Sequence, residues 1–106
     1  MSRTYIDNKT GKSLDINISG NDFLGKITLG LWDKLGFAPK IKEDCKLVAR
    51  ICRNHIKYQE YLKDFSIQTK KYYQERYNLE KLSEDDIEWL KEVSDFFENA
   101  NGIRYD

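Results

Sequence analysis

With 106 residues, the chain has the length of one domain, enough to bury roughly two thirds of the surface its unfolded form exposes without metal or disulfide support. Lys and Arg number 18, as do Asp and Glu, and the resulting net charge of zero argues against a dedicated nucleic-acid domain, which is usually strongly basic. No run of about eighteen apolar residues occurs, and Met1-Ser2-Arg3-Thr4 carries no apolar signal core, so a cytoplasmic protein with no membrane partner is expected.

The first element reads as a β-hairpin over residues 3–19. Leu14, Ile16 and Ile18 alternate with polar residues, the period of a half-buried strand. Asp7-Asn8-Lys9-Thr10-Gly11 supplies turn formers, with Gly11 suited to the positive φ that closes a short hairpin loop. The run Asn8-Lys9-Thr10-Gly11-Lys12-Ser13 shares its Gly-Lys-Ser ending with phosphate-binding loops. Those loops need a further glycine five residues before Gly11 and a helix directly after. Ile6 stands at the first place and a strand pattern follows the second, so no nucleotide is expected. The sequons Asn8-Lys9-Thr10 and Asn17-Ile18-Ser19 read as turn and strand residues.

Helical spacing begins next. Asn21 or Asp22 can cap a helix over residues 22–36, with Phe23, Leu24, Ile27, Leu31, Trp32 and Leu35 on its apolar side and Gly36 as its C-terminal cap. Gly25 and Gly30 each weaken it by about 1 kcal/mol relative to alanine, so tight packing or a bend is expected there. Phe37-Ala38-Pro39-Lys40 forms a connection.

A long helix over 41–65 contains no glycine or proline, and Ile41, Cys45, Val48, Ile51, Cys52, His55, Tyr58 and Leu62 lie along one side. The phase slips after Phe65, where Ser66 offers a cap for a further helix over 67–79 that carries Tyr72, Tyr73 and Tyr77. Ser83-Glu84-Asp85-Asp86 resembles a capping box for a last helix over 83–100, whose apolar stripe is Ile87, Leu90, Val93, Phe96 and Phe97 and whose end is marked by Gly102. The predicted fold is one α+β domain over 1–106, mainly α: an N-terminal β-hairpin followed by three or four packed helices.

Charge placement is the most informative feature. Residues 1–57 hold eleven Lys/Arg and six Asp/Glu, whereas residues 58–106 hold seven and twelve. On the long helix Lys42, Lys46, Arg50, Arg53 and Lys57 fall within an arc of about 80° opposite the apolar stripe. On the last helix Glu84, Glu88, Glu92 and Asp95 repeat that spacing. Surface helices ordinarily carry solvated charges opposite their core stripe, but like charges at i, i+4 destabilise a helix by a few tenths of a kcal/mol per pair, so single-sign rows suggest use beside that solvated-face reading. A carboxylate row can dock against a basic protein, and a basic row can neutralise successive phosphates.

Other chemistry finds less support. Cys45 and Cys52 are seven residues apart on the buried side, roughly 10 Å along the axis, too far for a disulfide. With His55 they give three metal-ligating types, but zinc sites rarely assemble along two turns of one helix, so packed thiols and a packed histidine are expected, with no metal and no cofactor. A Cys–His nucleophilic pair would lack a cleft and an orienting third group, and the acidic row is too exposed to raise a carboxyl pKa, so no enzyme is expected. Tyr58, Tyr61, Tyr72, Tyr73 and Tyr77, interleaved with Lys70, Lys71 and Arg76, suit a protein interface or a single-strand stacking surface. In composition the chain resembles small phage-encoded inhibitors and adaptors. The expected function is non-catalytic binding of another protein through the acidic row, with nucleic acid bound by the basic row as the alternative.

Overall fold

The computed structural model describes residues 3–34, 39–62, 64–77 and 82–105, except the side chains of Tyr73 and Tyr77. In chain order the elements are β1 (Arg3–Asp7), β2 (Ser13–Ile16), α1 (Ile18–Ile27), α2 (Leu31–Lys34), α3 (Lys42–Leu62), α4 (Ile67–Tyr77), α5 (Glu84–Asn99) and β3 (Ile103–Tyr105). The fold is α+β and mainly α, and the described residues form five helices and one three-stranded antiparallel sheet in the order β2-β1-β3. Leu35, Gly36, Phe37 and Ala38, to which the sequence assigned a helix end, a cap and a connection, lie outside the described residues, as do Lys63 of the expected 41–65 helix and Asn78 and Leu79 at the end of the expected 67–79 helix.

The hairpin forms where the alternation placed it, with Tyr5 opposite Leu14 and Ile6 opposite Ser13. Its loop is organised by Asp7, whose backbone N–H donates to the Lys12 carbonyl (2.8 Å) and whose own carbonyl accepts from Gly11 (3.0 Å). Gly11 adopts φ 75°, which closes the turn. Ser13 opens a strand, so no helix follows this loop directly.

Two boundaries differ from the sequence expectation. The second strand stops at Ile16 rather than residue 19, because Asn17 becomes a helix cap: its side chain accepts from the Gly20 N–H at 2.7 Å. Helix α1 therefore starts at Ile18, and Ile18 is exposed instead of continuing the buried alternation. The expected 22–36 helix is divided after Ile27. Leu29 N–H bonds to Lys26 O (3.1 Å) and Gly30 N–H to Gly25 O (2.9 Å), the paired bonds of a Schellman stop. Leu29 holds the left-handed position at φ 54° with 93% of its surface exposed. The Thr28 hydroxyl spans the break, donating to Leu24 O (2.6 Å) and accepting from Trp32 N–H (3.1 Å). Helix α5 spans Glu84–Asn99, inside the expected 83–100, and after it the chain forms β3, a strand the sequence did not show, which pairs with β1 in the register Asp7 opposite Ile103.

The long helix runs over 42–62, inside the expected 41–65. Ser66 caps α4 by accepting from Thr69 N–H (3.2 Å), and Ser83 caps α5 by accepting from Asp86 N–H (3.2 Å). The core lies between the sheet and the α3/α5 pair, where Tyr5, Ile16, Leu24, Trp32, Cys45, Val48, Ala49, Cys52, Leu90, Val93, Phe97 and Ile103 are buried. Trp32 anchors it, with its ring 5.5 Å from both Tyr5 and Phe97 and its indole N–H donating to Asn21 Oδ1 (3.2 Å). Among the described residues no helix is long and apolar enough to cross a membrane.

Candidate functional site

Helices α3 and α5 pack against each other through one face apiece: Cys45, Val48, Cys52, His55, Gln59 and Leu62 on α3, and Leu90, Val93 and Phe97 on α5. Each opposite face is therefore open to solvent. Lys42, Lys46, Arg50 and Lys57 are exposed on α3, and Glu84, Glu88, Glu92 and Asp95 are exposed on α5.

The packing joins the two rows at one place. Arg53 Nη1 donates to Glu98 Oε2 at 2.8 Å and Arg53 Nη2 to Asp95 Oδ1 at 3.3 Å. Side-chain exposures of 42% for Arg53, 74% for Asp95 and 41% for Glu98 make this a surface cluster, worth about 0–1 kcal/mol per pair. Glu88 also accepts from Lys91 within α5 at 3.2 Å. Glu84, Asp85 and Asp86 occupy the first turn of α5, where the positive end of the helix dipole favours them. Asp95 and Glu98 stand near its negative end, where a carboxylate is disfavoured by about 0.3–1 kcal/mol. Helix stability thus accounts for the first member of the acidic row and not for the last.

The thiols and the imidazole belong to the core. Cys45 and Cys52 are fully buried, and burial raises both thiols, Cys52 up to about 12. Cys45 Sγ lies 3.4 Å from the Pro39 carbonyl. Burial lowers the pKa of His55, whose ring meets Phe23 edge-on at 5.4 Å. Gln59 Oε1 accepts from Leu82 N–H (2.9 Å), so its amide nitrogen is the group that faces His55 Nε2 at 3.4 Å. That arrangement needs a neutral imidazole with its proton on Nδ1. Among the described residues no three His, Cys, Asp or Glu side chains are placed to hold a metal ion.

Two further surfaces stand apart from the charged rows, the tyrosine group expected from the sequence and a cleft that spacing did not reveal. Tyr58 and Tyr61 at the end of α3, with Ile67 and Tyr72 on α4, are exposed, and none of the side chains described on α4 is buried. Tyr73 and Tyr77, which the sequence added to this group, have side chains outside the described set. Between α1 and α5 lies a cleft of about 390 Å³ lined by Asn17, Ser19, Gly20, Phe23, Leu82, Asp86 and Trp89. It depends on helix α1 starting at Ile18, which puts Gly20 and Phe23 three residues apart on one helical face. The Asn17 cap in Asn17-Ile18-Ser19-Gly20 is the signal that could have revealed it. Compared with known families, curated proteins and solved structures, the chain finds no match.

Proposed function

We propose that this chain is a non-catalytic protein-binding domain, an inhibitor or adaptor that docks the acidic outer face of α5 onto a basic surface of another protein. The observation that carries this reading is the position of Glu84, Glu88, Glu92 and Asp95, all exposed on the side of α5 away from Leu90, Val93 and Phe97. A single-sign row costs the isolated helix free energy, which a basic partner would offset as Arg53 already does for Asp95 and Glu98 near the helix C-terminus. The capture of Arg53 by Asp95 and Glu98 is an intramolecular example of the contact such a partner would make.

The same cluster weighs against a phosphate-binding role for α3. A nucleic-acid backbone following Lys42, Lys46, Arg50, Arg53 and Lys57 would meet two carboxylates at the fourth position, and like charges suppress association. Exposed tyrosines at the α3–α4 end fit a protein interface, since each adds large contact area and one hydroxyl at little entropic cost.

The test is affinity capture from lysate of the source cell, with and without nuclease, using the native chain and a Glu88→Lys/Glu92→Lys variant. Capture of one protein that survives nuclease and is lost in the variant supports the reading. Capture abolished by nuclease and unaffected by the variant would transfer the function to the basic row.

A further inference from the structure

The cleft between α1 and α5 has a composition that selects a ligand. Trp89, Phe23 and Leu82 supply apolar walls, with the Phe23 and Trp89 rings 6.2 Å apart at 62°. The floor is the backbone of Gly20, where a Cβ would come within 2.9 Å of Trp89 Cζ2. Asp86 stands three residues before Trp89 on α5, so its carboxylate and the indole share one helical face. Ser19 and Asn17 bring further polar atoms, and Asp86 is the one charged side chain among the described lining residues.

The sign of the local field decides between an anion and a cation. The N-termini of α1 and α5 both open here, each equivalent to roughly +0.5 of an elementary charge. Against them stands the full negative charge of Asp86 inside the cleft, reinforced from outside its lining by Glu84 and Asp85 in the same first turn of α5. The balance is negative and favours a cation. An indole beside a carboxylate suits a guanidinium in particular, because that planar group can stack on the ring while donating in its own plane to the carboxylate. The aliphatic stem behind it would lie along Phe23 and Leu82.

We propose that this cleft receives an arginine side chain of the basic protein partner, with Trp89 as stacking surface and Asp86 as counter-charge. This deepens the docking reading and rests on it, since Asp86 is continuous with the acidic first turn of α5. The cleft fixes one anchoring residue where the open face offers only charge, as buried anchors do in interfaces generally.

Titration of the intact chain with L-arginine amide, followed by the Trp89 indole and Gly20 amide resonances in ¹⁵N–¹H spectra, tests the site apart from the partner. L-Citrulline amide, a neutral analogue of similar shape, is the control. Saturable shifts with arginine amide, at least about fivefold weaker with citrulline amide and about fivefold weaker in Asp86→Asn, are expected for a surface carboxylate–guanidinium contact. Asp86 joins the α5 cap through its backbone N–H, so this variant keeps the cap. Equal shifts with the two amides, or none at about 50 mM arginine amide, where a millimolar site is filled, would overturn the proposal. Such a result would leave the acid-face reading to its own test, which uses Glu88 and Glu92 outside the cleft.

Discussion

Trp89 lies against the backbone of Gly20, its Cζ2 2.9 Å from the position a Cβ would occupy, while Ile16 Cγ2 closes the other side at 2.8 Å. Ile16 is buried and cannot yield freely. Gly20→Ala should therefore destabilise the fold by about 1–3 kcal/mol through overpacking, although alanine is the better helix former by about 1 kcal/mol. Urea unfolding measures this as a lower midpoint at unchanged slope. A stabilised variant would show that the α1–α5 contact is looser than described.

Asp7 is buried and ties together the hairpin loop and the chain end. Its carboxylate accepts from Lys9 N–H (3.0 Å), the Thr10 hydroxyl (2.9 Å) and Asn101 N–H (3.2 Å). Burial alone would raise its pKa, but these hydrogen bonds outweigh burial and lower it. A lowered folded-state value means the stabilisation is present above the unfolded value of about 4 and is lost as pH falls through the folded one. Asp7→Asn should cost about 1–3 kcal/mol at neutral pH and flatten the acid limb of the Tm–pH curve. An unchanged acid limb would refute this role.

His55 has the same sign at higher pH. Its folded pKa lies below the ordinary value because burial disfavours the cation. Stability is thus full above the unfolded value of about 6.5 and declines as pH falls through the folded value. Protonation would also set a donor against the Gln59 amide nitrogen. His55→Gln should remove the Tm loss that the native chain is expected to show as pH falls below neutral. Identical Tm–pH profiles for the two proteins would contradict it.

Cys45 and Cys52, buried and with raised pKa values, should react with iodoacetamide only as fast as the chain unfolds, and rapidly in denaturant. Fast labelling of either in the native protein would mean that the α3 core opens locally.

The sequence made local features legible and non-local ones illegible, for physical reasons. Leu14 and Ile16 show the strand period, Gly11 the turn, and Ser66 and Ser83 the helix caps, because each acts within a few residues. Ile18 extends the strand alternation by coincidence, which hid the Asn17 cap. Leu29 occupies the left-handed stop that glycine usually fills, which hid the end of α1. The strand β3 has three residues, too few for a period, and its partner β1 is at the other end of the chain. The rows on α3 and α5 could be read from spacing, yet which members would meet could not. Arg53 and Asp95 are 42 residues apart, and only helix packing brings them together.

The most direct test of the docking account compares capture of the partner by two charge reversals of equal size. Glu88→Lys/Glu92→Lys alters the exposed acidic face, and Lys46→Glu/Arg50→Glu alters the basic face while sparing the Arg53 cluster. Close interfacial charge pairs are worth about 1.5–7 kcal/mol, so the first variant should weaken capture by at least tenfold while the second stays within about threefold of the native chain. Undiminished capture by the Glu88/Glu92 variant, with loss in the Lys46/Arg50 variant, would contradict the account.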